Sequence, residues 1–271
     1  MLNLVKYNFG VLNSKVQTLL SGKAYTVYMN WVSTEGIYYS YNKPNYFVTE
    51  EDQVHFFIKP RGRYYLKGLR TRTTDLIKSY SIDLINFQRD DLIVDVGANN
   101  GDLINYFSAH RYIGFEPAPK EFQMLKKNAT LGCQVYNYVV GDVEKLIEFF
   151  VSSAGADSSV YEPLNVEGVI VSKQIRLDKF IKEKIKCLKV DAEGGEYEVI
   201  LGCENILYLI EYIAIDLGFE QGKMEESTAP QVVNFLIRKN FTLLKVTRFN
   251  RYLFQNLRYS QENQMNASIQ F

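Results

Sequence analysis

Eleven residues, Leu92–Asp102, read LIVDVGANNGD, and they constrain this 271-residue chain more than any other stretch. Leu92, Ile93, Val94 and Val96 make an apolar, β-branched run. It is too short for a buried helix and suits a strand covered on both faces. The run stops at Gly97; Asn99, Asn100 and Gly101 follow, and apolar residues resume at helical spacing over Leu103–Phe107. A strand that ends in a glycine-bearing turn and hands over to a helix belongs in an open α/β sheet. Ligands of such sheets bind at the carboxyl ends of the strands.

The same rhythm continues downstream. Tyr112–Phe115 and Cys133–Val140 read as strands, with a helix over Pro119–Asn128 between them and a first helix over Leu103–Ala109. Leu146–Val151 and Gly168–Ile175 are expected as additional strands around a turn-rich insert, Ser152–Glu167, and Leu177–Lys184 as a helix. Leu188–Val190 and Tyr212–Ile215 end in Asp191 and Asp216, and Tyr197–Leu201 starts a helix. Pro230–Lys239 reads as a helix capped by Thr228, followed by a hairpin, Phe241–Val246 and Tyr252–Phe254. Strands separated by helices imply a parallel sheet.

Upstream, residues 1–22 carry a sparse helical pattern, with Val5, Leu12, Val16 and Leu19 apolar. Tyr25–Val32, Ile37–Tyr41, Tyr46–Val48 and Val54–Ile58 are aromatic and β-branched, which predicts short strands. Leu66, Leu69, Thr73, Leu76 and Tyr80 recur at spacings of three and four, a helical signature. Lys59, Arg61, Arg63, Lys67, Arg70 and Arg72 make this region basic. They form either a solvated helix face or a site for an anionic substrate or carrier. Tyr38, Tyr39, Tyr41, Tyr64 and Tyr65 would either stack on sugar rings or serve as core. The domain reading is an N-terminal extension over 1–88 acting as a substrate-binding cap, an α/β domain over 89–260, and a frayed polar tail over 261–271.

Acidic and basic side chains balance at 31 each, which gives no global case for nucleic acid or an anionic membrane as partner. Cys133, Cys187 and Cys203 lie far apart, so a reduced compartment and free thiols are expected. The opening MLNLVKYNFG lacks the pattern of a signal peptide, and the richest apolar run, Ile206–Leu217, is interrupted by Glu211 and Asp216. A cytoplasmic protein is the expectation.

The turn itself is not G-x-G-x-x-G, the pattern that lets a backbone approach a pyrophosphate. Asparagines stand in its middle, no basic residue is near, and Asp95 is adjacent. Such a turn suits a cationic, zwitterionic ligand such as S-adenosylmethionine, although a plain strand-to-helix turn has the same residues. Glu116 ends the second strand, 116 − 97 = 19 residues beyond Gly97. An acid at that spacing is placed to accept both ribose hydroxyls of an adenosyl group. The alternative is a solvated glutamate before Pro117. Asp142 closes the third strand, where an aspartate either accepts from the exocyclic amine of an adenine or is an ordinary loop residue. The fourth strand ends in Asp191-Ala192-Glu193-Gly194-Gly195-Glu196. Methyl transfer to a hydroxyl needs alignment and a proton acceptor, for which Asp191 and Glu193 are the candidates. Asp216 would join Asp191 if the site holds Mg²⁺, while Glu196 suits a helix N-terminus. Of the two histidines, His110 is expected at the surface, and His55 becomes a base candidate only if the extension folds over the cleft. Zinc chemistry and a Ser-His-Asp triad are not expected.

Three blocks together resemble the FkbM family of S-adenosylmethionine-dependent methyltransferases: Val94–Gly101; Phe115-Glu116-Pro117 with Phe122, Leu125 and Asn128; and Leu188–Glu196. The resemblance runs from Asp91 to Gly218. It implies a class I methyltransferase (Rossmann-like) fold, a seven-stranded, mostly parallel sheet closed by an antiparallel C-terminal hairpin. It implies cofactor contacts at Asp95, Gly97, Asn99, Gly101, Glu116 and Asp142, and a reaction centre lined by Asp191 and Glu193; Asn100 and Pro117, beside these, are further cofactor-binding candidates. Ser158 and Ser159 resemble a serine pair that members carry. The activity implied is O-methylation of a sugar hydroxyl in a glycan or glycoconjugate. The rivals are a nucleic-acid methyltransferase, resting on the basic segment Lys59–Arg72, and a non-catalytic interaction module.

Overall fold

A computed structural model describes residues 15–107, 110–152 and 157–259. It divides into two compact units, Met1–Arg72 and Thr73–Phe271. The division therefore precedes the boundary drawn at residue 88. Tyr80, Ile82 and Ile85 explain why, since they belong to the same buried cluster as Ile93 and Leu103 of the α/β unit. The tail over 261–271 and the apolar residues Val5 and Leu12 lie outside the described residues.

In the first unit, residues 15–19 are helical, and α1 (Gly22–Val32) stands where a strand was expected over Tyr25–Val32. Tyr25 and Met29, one helical turn apart, are both buried. Their burial on one face decides for the helix against the strand propensity of the aromatic and β-branched residues. The short strands expected downstream are present as β1 (Ile37–Asn42), β2 (Asn45–Glu50) and β3 (Gln53–Phe57), which pair as an antiparallel meander. A 3₁₀ segment, Lys59–Tyr65, leads towards α2 (Leu69–Ser79). Tyr39 and Tyr65 are core residues, whereas Tyr38 and Tyr64 are exposed. The guanidinium groups of Arg61, Arg63 and Arg72 all lie within about 5 Å of the Tyr64 ring centroid, at 5.0, 5.0 and 4.8 Å. His55 is buried and hydrogen-bonds the Tyr65 hydroxyl at 3.1 Å.

The second unit is built on β4 (Leu92–Val96), β5 (Arg111–Phe115), α3 (Pro119–Asn128) and β6 (Cys133–Tyr136). All five side chains of β4 are buried, as a strand covered on both faces requires. After β4 the expected helix is replaced by consecutive turns over Gly101–Phe107, which still bury Leu103, Ile104 and Phe107; residues 108 and 109 lie outside the described residues. The strand expected over Cys133–Val140 is broken in two. Beyond β6, Asn137 donates its amide to the carbonyls of Glu116 and Pro117, at 2.8 and 2.9 Å, and turns the chain away. The following β7 (Val139–Val140) pairs instead with β9 (Gly168–Ile175), which also pairs with β8 (Lys145–Val151) in a separate three-stranded sheet.

The chain continues through the single-turn α4 (Leu177–Phe180), shorter than expected, to β10 (Ile185–Val190), α5 (Glu196–Leu201) and β11 (Ile210–Asp216). A small hairpin not foreseen from sequence, β12 (Phe219–Gln221) and β13 (Glu226–Ser227), precedes α6 (Ala229–Arg238). The hairpin β14 (Phe241–Val246) and β15 (Arg251–Asn256) completes the fold. The seven strands run in the order β14-β15-β11-β10-β4-β5-β6. Only β15 is antiparallel to its neighbours, and the other pairings are parallel. The chain winds outward from β4 to β6, returns beside β4 as β10, and winds the other way. The crevice between the carboxyl ends of β4 and β10 is therefore the topological switch point, the ligand site of open α/β sheets. Among the described residues no helix is long and apolar enough to cross a membrane.

Candidate active site at the switch point

Gly97 follows β4 at φ +73°, and a Cβ there would lie 1.8 Å from the Asp191 carbonyl oxygen. Glycine is required on both counts, and its absence of a side chain lets the two strand tips touch. The Gly97 and Ala98 amides donate to the Phe115 carbonyl at 3.0 and 2.9 Å, which fixes the turn to β5. Asn99 adopts φ +51°, and its amide donates to Glu116 Oε2 at 2.9 Å. Asn100 is fully buried, and among the described residues neither its side-chain nitrogen nor its side-chain oxygen has a hydrogen-bond partner. A buried amide with both functions unmet is costly and calls for an explanation. Gly101 closes the turn by donating to Ala98 at 2.8 Å.

Glu116 sits at the tip of β5, only 5% exposed. Its second oxygen accepts from Ala118 N at 2.8 Å. Burial foremost, and then Glu121 nearby, push its pKa up to about 8. Pro117 places its carbonyl on Asn137. Asp142 follows β7 and so is not at the tip of the third sheet strand, where Tyr136 and Asn137 stand. Its carboxylate lies 3.4 Å from the Gln174 amide, and its carbonyl accepts from Arg176.

The tip of β10 is held by Glu196. One of its oxygens accepts from Ala192 N and Gly194 N, both at 3.0 Å, and the other from the Thr228 hydroxyl at 3.0 Å. Thr228 thus spends its hydroxyl on this loop rather than on capping α6. The loop forces Glu193 into φ +49°, a strained conformation for a residue with a side chain. Ser159 donates to the Glu193 carbonyl at 2.6 Å, and Ser158 accepts from Ser152 N at 2.9 Å. Gly194 lets the β12–β13 hairpin approach, since a Cβ there would lie 2.8 Å from the Glu220 carbonyl oxygen. Glu220 is thereby brought to Asp191 and Glu193, with one carboxylate oxygen of each within 4.8 Å of the others. That spacing suits a shared proton or a hard cation. Burial first, then Asp191 and Glu220, raise Glu193 well above the usual glutamate range. Glu220 is pushed up to about 9 by burial and by Asp191.

Asp216, expected beside Asp191 around a metal, is instead engaged by Arg251 Nε at 2.7 Å and by Gly218 N at 3.1 Å. Burial and Asp191 raise it to about 6. Asp191 accepts from the Tyr80 hydroxyl at 2.7 Å. Arg251 stacks on the Tyr80 ring at 4.2 Å. Asp95, which the sequence places among the cofactor contacts, is 1% exposed. The Tyr112 hydroxyl donates to it at 2.6 Å, and the Lys189 ammonium lies 2.9 Å away. Lys189, Tyr80, Arg251 and Glu220 thus join the candidate site, and sequence reasoning missed all four. Only Lys189, a cation beside the acidic tip of a strand with apolar neighbours Leu188 and Val190, left a local signal.

Among the described residues of this unit, Asp95, Glu116, Asp191, Glu193, Glu196, Asp216 and Glu220 gather at the carboxyl edge, with Lys189 and Arg251 among them. The strand order and this acidic switch point define a class I methyltransferase fold. A family model described as the methyltransferase FkbM domain matches residues 95–243. The chain belongs to the FkbM methyltransferase family.

The chain is 26% identical over 179 residues to the hexuronic acid methyltransferase AglP of Haloferax volcanii, covering 60% of this chain and 68% of that protein. It is also similar to a solved methyltransferase FkbM from Methylobacillus flagellatus, at 16% identity and a TM-score of 0.45, over 73% of this chain. The chain spans about half of that protein, 53% of its length. Magnesium protoporphyrin IX methyltransferase from Synechocystis, solved with bound S-adenosylmethionine, matches at 11% identity and a TM-score of 0.39, over 69% of this chain and 77% of that one.

Proposed function

We propose that the protein transfers a methyl group from S-adenosylmethionine to a hydroxyl of a sugar in a glycan or glycoconjugate. The observation that carries this reading is Asn100: a buried amide with an unmet donor and an unmet acceptor, on a glycine turn at the switch point of an acidic strand edge. A ligand carrying both ammonium and carboxylate satisfies that amide, and its net positive charge offsets the acidic excess. Glu116, with a lone pair left on each oxygen, suits the ribose hydroxyls. The similarity to a hexuronic acid methyltransferase supports a sugar acceptor.

When bound, the cofactor supplies an electrophilic methyl group on a sulfonium. The chain's own residues align the acceptor and remove its proton. Asp191 is fixed by Tyr80 and faces Lys189, so it orients the hydroxyl. Glu193 takes the proton, because burial beside two further carboxylates raises its proton affinity towards that of a working base. The test is transfer of labelled methyl from S-adenosylmethionine to methyl glucoside, methyl glucuronide and an RNA oligonucleotide, with Mg²⁺ and with EDTA. Label in a glycoside ether is expected, falling by about 10²-fold or more in Glu193→Gln, as loss of a general base does. Label confined to the RNA would contradict the acceptor class.

A further inference from the structure

Lys189 is the one buried lysine on β10, with its side chain 4% exposed. It stands directly opposite Asp95 in the parallel pairing of β10 with β4. Its ammonium lies 2.9 Å from Asp95 Oδ1, 2.9 Å from the Gly97 carbonyl, 3.4 Å from the Val96 carbonyl and 3.7 Å from Asp191 Oδ2. The Tyr80 ring lies 5.7 Å away. The ammonium thus donates to the carbonyls of Val96 and Gly97 at the end of β4 and forms ion pairs with two carboxylates, Asp95 in the core of β4 and Asp191 at the tip of β10. A lysine that merely balanced Asp95 would need only the Asp95 pair. Burial works against its charge, but Asp95 and then Asp191 outweigh it, and the ammonium is retained.

We propose that Lys189 is a positioning residue that locks the Gly97–Gly101 turn against Asp191, so that one cation aligns the cofactor side of the site with the acceptor side. This rests on the methyltransferase reading given above. The charge is the active element. A neutral side chain of similar length fills the space and releases both the Gly97 carbonyl and Asp191. Because Gly97 packs directly on the Asp191 carbonyl, slack at one tip passes to the other.

The experiment is a double-variant cycle of Lys189→Met, Asp95→Asn and both together. It is read by thermal unfolding, by calorimetric titration with S-adenosylhomocysteine, and by hydrogen–deuterium exchange of the Gly97–Gly101 amides. Lys189→Met alone is expected to lose stability, because it leaves the buried Asp95 side chain without its cation. The double variant removes the Asp95–Lys189 pair as a unit and is expected to regain most of that stability, as replaced buried pairs often do. Even so, it is expected to bind S-adenosylhomocysteine at least tenfold more weakly than Asp95→Asn alone and to exchange the turn amides faster. A double variant matching Asp95→Asn in affinity and turn protection would reduce Lys189 to a countercharge and overturn the proposal. Wild-type protein that does not bind S-adenosylhomocysteine at all would overturn the cofactor reading instead, and that is visible before any variant is compared.

Discussion

Glu116 shows how a single carboxyl group joins fold and ligand. Its two oxygens already accept the amides of Asn99 and Ala118, which ties the glycine turn to the tip of β5. Above about pH 8, where Glu116 is ionised, Glu116→Gln keeps the shape but loses a charged acceptor. It is expected to weaken S-adenosylhomocysteine binding by about tenfold to a hundredfold, the range for hydrogen bonds to charged groups. Calorimetry on the folded variant checks this, and unchanged affinity would remove Glu116 from the ribose. Glu220 offers a second test through pH. Glu193 must be ionised to act as a base, and Glu220 is among the groups that hold its proton on. Glu220→Gln removes that like charge, so the acidic limb of the pH–rate profile is expected to move to lower pH. A limb that stays in place would show that Glu220 and Glu193 do not interact.

At the scale of elements, the contact of the Gly97 turn with the tip of β10 is the joint on which the site depends. Gly97→Ala brings a Cβ into the Asp191 carbonyl and forces alanine into the left-handed region. A loss of roughly 3 kcal/mol or more is expected in urea unfolding, together with loss of cofactor binding. A mild effect would mean that the tips move apart at little cost. The strand, the turn and the acids of this joint were legible in the sequence because period, glycine placement and strand-tip carboxylates are local signals. The β12–β13 hairpin was not. Phe219–Gln221 is three residues long, and only Gly194, distant in sequence, reveals why Glu220 lies where it does. The break at Asn137 was hidden for a related reason. Cys133–Val140 reads as one strand by composition, and the bonds that divide it reach back to Glu116 and Pro117. Residues Tyr25–Val32 carried strand propensity that packing of Tyr25 and Met29 on one helical face overrode.

For the molecule as a whole, the acidic edge sets a pH signature. Asp216, Glu196, Glu116 and Glu220 have folded pKa values raised to about 6, 7, 8 and 9, mainly by burial. Their unfolded values lie near 4. Between those limits the folded state holds more protons than the unfolded one. The stability these groups contribute is therefore complete below about pH 4 and is lost as pH rises through about 6 to 9. The melting temperature of the ligand-free protein is expected to fall across that range, and less steeply in Glu116→Gln. A melting temperature that rises from pH 6 to 9 would show that these carboxyl groups are not buried as described. A cationic ligand opposes the trend by favouring the ionised edge.

The most direct measurement is a crystal structure of the protein with S-adenosylhomocysteine. The ligand is expected in the crevice between the carboxyl ends of β4 and β10, with its amino-acid end on the Asn100 amide and its ribose on Glu116. A ligand elsewhere on the molecule, or one in this crevice that leaves the Asn100 amide without a partner, would contradict the assignment of the switch point as the cofactor site.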